Sequence, residues 1–129
     1  MAFTSEIDGH TVYFDAAPEH GGQGKGSRPK PLLLASLAGC SAMDVVSIAN
    51  KMKIKLDDFN IDIEAELTEE HPKIYKKIHL IYEFWGDDLP FDKLDKAVQL
   101  SREKYCGVNA MLSKASDITY EIRLHRKNS

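Results

Sequence analysis

Two cysteines are the side chains of this sequence best suited to covalent chemistry. Cys40 lies in LAGCSAMDVVS, with Asp44 four residues later, and Cys106 lies in YCGVNAM, 66 positions further along the chain. A cysteine thiolate attacks electrophiles, and its sulfenic acid condenses with a second thiol to form a disulfide. The spacing alone leaves open whether the sulfurs fill separate parts of the core or form one reactive site.

The stretch around Cys40 combines an apolar helix with one carboxylate. Free cysteine is among the most buried residue types, so core packing is one interpretation of Cys40. Asp44 at position i+4 shares its helix face, and a carboxylate there requires a polar partner or solvent. This face is therefore predicted either to meet something polar or to reach the surface at Asp44.

The stretch around Cys106 predicts a junction between two helices. Gly107 follows the cysteine, and a helix beginning there would offer N–H groups and a dipole that stabilise a thiolate. A lone surface thiol is the alternative. The neighbouring charges are expected to form a solvated helix face: Arg102, Glu103 and Lys104.

The first 55 residues predict a hairpin, a loop and a long helix. Alternating residues with a turn at Asp8-Gly9 predict strands over 2–7 and 10–16. The glycine-rich segment 17–30 is predicted to be a flexible loop that could bind a ligand. A helix is predicted to begin at Pro31, and its nearly all-round apolar character predicts that it is buried.

The second half of the chain predicts a hairpin, two helices and a last strand. FNIDIEAEL and IYKKIHLIYEFW alternate as paired antiparallel strands, and PFDKLDKAVQLSREKY has the period of an amphipathic helix. Asn109 is predicted to cap the short helix AMLSKA, and DITYEIRLHR to form the final strand. The order of elements predicts an α+β fold.

The composition indicates a single folded domain over 1–129, with 43% hydrophobic and 29% charged residues. A net charge of −3 and scattered basic residues predict no nucleic-acid partner. No signal peptide or membrane span is expected, so a cytoplasmic location is predicted. In that compartment the two cysteines are expected to be reduced thiols or a working redox pair, and not a permanent disulfide. No cofactor is expected, and two cysteines with unsuitably spaced histidines predict no metal site.

The segment PLLLASLAGCSAMDVVSIANKM, followed by REKYCGVNAMLSKA, resembles the OsmC/Ohr family of osmotically inducible and organic hydroperoxide resistance proteins. The resemblance is closest to the OsmC-like branch, where a proline-led helix carries the first cysteine and the second precedes a short helix. It implies a long central helix packed on antiparallel sheets in an intertwined homodimer.

The resemblance also implies a peroxidase of the stress response that reduces organic hydroperoxides or hydrogen peroxide. Cys40 would attack the peroxide and Cys106 would resolve the sulfenic acid, with an external dithiol, such as a protein-bound lipoyl group, reducing the disulfide. The family's peroxidases also use a glutamate ten residues before the first cysteine and an N-terminal arginine. In this sequence Lys30 stands at the position of that glutamate, and Arg28 is the nearby arginine. Both are candidates for a supporting role at the site, together with Asp44.

Two other functions remain open. The same scaffold could bind a small apolar ligand in the dimer cleft without catalysis, which the missing glutamate and arginine favour. The cysteines could also be packing residues of a structural dimer. Retention of both cysteines in a chain that has no others favours the peroxidase.

Overall fold

A computed structural model describes residues 1–126 of the chain. Tertiary contacts group these residues into two compact units, Met1–Ser36 and the segment from Leu37 onward, which are described separately. The single domain predicted over 1–129 stays a prediction, and its last three residues lie outside the described part.

The first unit begins with the predicted hairpin. Strand β1 (Ala2–Ile7) pairs antiparallel with β2 (His10–Asp15). The turn residues Asp8 and Gly9 have φ angles of 51° and 79°, a left-handed conformation that glycine adopts at no steric cost and that aspartate tolerates. The turn chemistry in the sequence therefore placed both strands correctly.

Backbone hydrogen bonds tie the glycine-rich loop to the end of β2. The buried Asp15 carboxylate accepts hydrogen bonds from the backbone N–H groups of Ala16, Gln23 and Lys25 at 2.8–3.1 Å. The Gln23 and Lys25 bonds are the main reason why the pKa of Asp15 is lowered. Asp15 N–H also donates to the Ser27 carbonyl. The segment predicted to be flexible is thus anchored at several points.

Helix α1 (Pro29–Lys51) begins two residues earlier than predicted. Within the described chain its burial is confined to one stripe at i, i+4 spacing, formed by Leu37, Ser41, Val45 and Ala49. Met43 on another face is 78% exposed, so one chain by itself covers only one side of the helix, and the predicted all-round burial stays a prediction. The apolar pattern could not distinguish a face covered within the chain from one left open.

By length and composition alone, α1 is long and apolar enough to cross a membrane. Core helices of soluble proteins can have the same length and apolar composition. The expectation that this chain has no membrane partner stays a prediction.

The second unit contains a three-stranded mixed sheet. Strands β3 (Asp58–Leu67) and β4 (Tyr75–Trp85) form the predicted antiparallel hairpin, and β5 (Asp117–His125) lies on the other side of β4. β5 runs parallel to β4, which corrects the prediction of purely antiparallel sheets. The reason is the connection: a helical crossover returns the chain to the end of the sheet where β4 began.

That crossover consists of α2 (Phe91–Leu100), a π-helical turn (Ser101–Tyr105) and α3 (Gly107–Leu112). The core of the unit draws on α1, β4, α2 and β5. Its fully buried side chains include Leu37, Val45, Ile78, Leu80, Phe84, Leu94 and Val98. The fold is α+β, as predicted.

Candidate functional site

Two sulfurs and one carboxylate meet between α1 and the crossover. Single ligand atoms from Cys40, Asp44 and Cys106 all lie within 4.8 Å of one another. Cys40 and Asp44 stand one turn apart on α1, while Cys106 comes from the junction between the π turn and α3. The cysteines therefore belong to one site.

The π turn determines where Cys106 lies. The Cys106 N–H donates to the Ser101 carbonyl at 2.7 Å, a bond spanning five residues instead of four. Cys106 then caps α3, and its Sγ accepts a hydrogen bond from the Asn109 N–H at 3.3 Å. The predicted cap at Asn109 is wrong because the helix begins earlier, at Gly107.

Cys106 is a neutral thiol at neutral pH. Its side chain is only 3% exposed, and burial is the largest cause that raises its pKa to about 11. The Cys106 thiol also donates a hydrogen bond to the Cys40 sulfur, and the negative charge of Asp44 acts in the same direction. The N–H of Asn109 lowers the pKa, as the sequence suggested, but burial outweighs it.

Cys40 is the more accessible of the two sulfurs. Its side chain is half-buried, whereas that of Cys106 is buried. A reagent arriving from solvent reaches Cys40 first, and the Cys106 thiol lies within hydrogen-bonding distance of it. This is the arrangement in which one sulfur can react and the other can follow.

A chain of hydroxyl groups holds Asp44. The Ser101 hydroxyl donates to Asp44 Oδ2 at 3.0 Å, Ser41 Oγ lies 3.1 Å from Ser101 Oγ, and Tyr82 OH lies 2.6 Å from Ser41 Oγ. Since each hydroxyl has one proton, the donors run from Tyr82 through Ser41 and Ser101 to the carboxylate. The predicted polar partner of Asp44 is therefore a buried network.

Sequence reasoning missed the three hydroxyl residues. Ser41 and Ser101 are fully buried, and burial raises the pKa of Tyr82. A tyrosine in the middle of a buried strand needs a hydrogen-bond partner for its hydroxyl. That signal was present in the sequence, but the partners come from distant elements and could not be identified there.

Arg102 was expected to be solvated, and this expectation is wrong. Its Nη2 donates to the Ile118 carbonyl at 2.9 Å and its guanidinium lies 4.8 Å above the centre of the Tyr120 ring. Within the described residues its buried Nη1 has no hydrogen-bond partner. Arg102 lies in the π turn, where the spacing of side chains departs from the regular helical period used in the sequence analysis.

Arg28 and Lys30, the supporting cations predicted from the sequence, belong to the first unit. Arg28 precedes α1 and Lys30 lies in its first turn. Their proposed roles toward Cys40 stay predictions.

The chain matches the profile of the OsmC-like proteins over residues 22–121 and belongs to that family. Protein YhfA of Escherichia coli strain K12 is 38% identical to it over 122 residues, which cover 93% of this chain and 87% of YhfA.

Solved structures share the fold of this chain. A hypothetical protein from Aquifex aeolicus VF5 superposes on this chain with a TM-score of 0.80 and is 32% identical in sequence. The superposition covers 95% of this chain and 88% of the Aquifex chain. The organic hydroperoxide resistance protein OhrB of Bacillus subtilis gives a TM-score of 0.67 and is 20% identical in sequence. This superposition covers 95% of this chain and 96% of the OhrB chain. At that identity, the likeness to OhrB shows the fold alone.

Proposed function

We propose that this protein is a thiol-dependent peroxidase that reduces organic hydroperoxides or hydrogen peroxide through Cys40 and Cys106. The observation that carries the proposal is the placement of a half-buried and a buried sulfur in one cluster. The names of fold relatives such as OhrB point to the same substrate class.

The first step takes place at Cys40. Its thiolate attacks the terminal oxygen of the hydroperoxide, the O–O bond breaks, and the leaving alkoxide takes up a proton to become an alcohol. Cys40 is thereby oxidised to a sulfenic acid. The buried Cys106, with its pKa of about 11, is unsuited to this step because only the thiolate is a nucleophile.

The second step joins the two sulfurs. The Cys106 sulfur attacks the sulfenic sulfur of Cys40, hydroxide leaves and is protonated to water, and a disulfide forms. The raised pKa of Cys106 means that its proton must be accepted during the attack. The Asp44 carboxylate lies within the cluster and is the acceptor that we assign.

The third step returns the site to its reduced form. An external dithiol exchanges with the Cys40–Cys106 disulfide, which restores both thiols and oxidises the dithiol to its own disulfide. A protein-bound lipoyl group has the required chemistry. The half-buried Cys40 is the sulfur that such a reductant would attack.

A thiol count tests the proposal. Reduced protein is mixed with one equivalent of cumene hydroperoxide or hydrogen peroxide, and free thiols are titrated over time. We expect both thiols to disappear together and to return on addition of a dithiol. Cys40→Ser should retain its Cys106 thiol, while Cys106→Ser should accumulate a sulfenic acid that a dimedone probe traps. Unchanged thiols in the wild-type protein would remove the peroxidase.

We also propose that a second copy of the chain covers the open face of α1. The face includes Ala42, Met43 and Val46, and apolar side chains left in water favour association. Light scattering should give twice the chain mass. Met43→Glu should shift the protein toward the monomer, whereas Met111→Glu, a change at another exposed methionine, should not. A monomer at micromolar concentration in the wild type would contradict this.

A further inference from the structure

We propose that Cys40, Asp44 and Cys106 form a binding site for one thiophilic divalent cation, with Zn²⁺ as the biological representative. The inference stands on the donor atoms and does not depend on the peroxidase reaction. It differs from the expectation drawn from the sequence, which considered two cysteines with unsuitably spaced histidines and predicted no metal site.

The distances in the cluster suit a compact coordination sphere. The three ligand atoms lie within 4.8 Å of one another. Zinc binds sulfur at about 2.3 Å and carboxylate oxygen at about 2.0–2.2 Å, so tetrahedral ligands lie roughly 3.5–3.8 Å apart. A contraction of about 1 Å closes the sphere, and a small rotation of the half-buried Cys40 side chain supplies such a movement.

The groups behind the ligands hold them in place. The Ser101 hydroxyl donates to Asp44 Oδ2 and so holds the carboxylate that contributes the oxygen ligand. Ser41 and Tyr82 fix Ser101 through buried hydrogen bonds, and the Asn109 N–H contacts Cys106 Sγ. Such outer partners orient metal ligands and tune their affinity.

The donor set determines the class of ion. Two thiolates and one carboxylate favour Zn²⁺, Cd²⁺ and Co²⁺ over Mg²⁺ and Ca²⁺, which prefer all-oxygen sites. Binding forms two metal–sulfur bonds and one metal–oxygen bond, and both thiol protons leave to solvent. Three protein ligands leave a fourth position for water.

Occupancy would have a direct consequence for the proposed function. Both cysteine sulfurs would be committed to the metal, so neither could attack a peroxide while the ion is bound. The metal would then act as a reversible block on the thiol pair. This consequence, unlike the binding itself, rests on the proposed function.

Direct binding to the reduced full-length protein is the test. Co²⁺ is added as a spectroscopic probe, and Zn²⁺ affinity is measured by competition with a chromophoric chelator. We expect one ion per chain, a thiolate-to-cobalt charge-transfer band, and displacement of Co²⁺ by Zn²⁺. Cys40→Ser and Cys106→Ser should each weaken Zn²⁺ binding by more than tenfold.

Asp44→Asn tests the third ligand, because asparagine keeps the hydrogen bond from Ser101 and removes the charge. It should weaken binding at least tenfold, whereas Asp95→Asn, at a carboxylate bonded to Tyr120 and Gln99 outside the cluster, should leave it unchanged. Absence of the charge-transfer band, or Zn²⁺ binding unaffected by the Cys40, Cys106 or Asp44 substitution, would overturn the site.

A separate measurement distinguishes this proposal from the peroxidase. Thiol loss with cumene hydroperoxide is followed in chelator and again with saturating Zn²⁺. If thiols are lost in the presence of chelator and saturating Zn²⁺ suppresses this loss, both proposals are supported. If no thiol is lost in chelator while the metal binds, the peroxidase fails and the metal site stands.

Discussion

Cys40 and Cys106 share one cluster, but their surroundings differ. Cys40 lies on the regular α1 helix with its side chain half-buried, whereas Cys106 lies where a π turn meets α3 and is 3% exposed. Cys106 also caps a helix, accepting a hydrogen bond from the Asn109 N–H. The Cys40 sulfur instead accepts a hydrogen bond from the Cys106 thiol.

The difference shows that position relative to a helix does not by itself decide what a thiol does. A cysteine just before a helix is usually considered a candidate thiolate, since the helix N-terminus favours negative charge. At Cys106 burial is the larger effect, and the pKa rises to about 11. The reactive sulfur of the pair is therefore expected to be the one within the helix.

The largest expected effect is a difference in alkylation rate. At pH 7 a thiol of pKa about 11 is ionised in about one molecule in ten thousand, compared with a few per cent for an ordinary cysteine. Native Cys106 should therefore react with iodoacetamide at least about 100-fold more slowly than Cys106 in the urea-unfolded protein. Peptide mass spectrometry measures both rates. In the native protein, Cys40 should be labelled before Cys106. Equal rates for the two native cysteines would contradict it.

The pH dependence of Cys106 labelling sharpens the comparison. In Cys40→Ser, the rate should still rise about tenfold per pH unit from pH 7 to 9, since burial, the largest cause of the raised pKa, remains. It should level off at a lower pH than in the wild type, because serine cannot carry the negative charge that Cys40 places beside Cys106. A plateau below pH 9 would show that burial is not the main cause.

A difference in stability should separate the cap from the rest of the cluster. Cys106→Ala removes the acceptor for the Asn109 N–H and should lower the free energy of unfolding by about 1 kcal/mol or more. Cys106→Ser retains an acceptor and should cost less than Cys106→Ala. Cys40→Ala, at a half-buried position, is the matched control and should also cost less. Urea denaturation of the reduced variants measures these values, and equal costs for all three would contradict the cap.

The smallest expected effect concerns Asp44. Its charge is the weakest of the named causes that raise the pKa of Cys106. Asp44→Asn should therefore lower this pKa slightly and increase Cys106 labelling at pH 8 by about two- to threefold. Asp95→Asn serves as the control at a carboxylate outside the cluster. A decrease in labelling would mean that Asp44 does not act on Cys106 through its charge.

The local elements were largely predictable from short-range signals. The turn at Asp8-Gly9 placed the first hairpin, and alternation over FNIDIEAEL placed β3. Helical spacing located α1 and α2 to within two residues at their starts. The family motif brought the two cysteines together as a hypothesis, and the structure confirms that they are close.

The misplaced features depend on contacts between distant residues or on departures from regular periods. The direction of β5 follows from how the crossover packs, and the half-buried Arg102, which contacts β5, lies in a π turn. The partners of Asp44 come from α1, β4 and the π turn, so no single stretch of sequence contained them. Long-range packing selected these outcomes among several that the local pattern allowed.

By itself the sequence determined the α+β order of elements, the reactive residue types and the family, because turn chemistry, periodicity and motif spacing are properties of neighbouring residues. Only the tertiary structure decided which thiol is buried, which hydroxyls hold Asp44 and how near the sulfurs lie. The physical reason is that solvent exposure, and with it the pKa of a thiol, depends on what packs around a group from elsewhere in the chain.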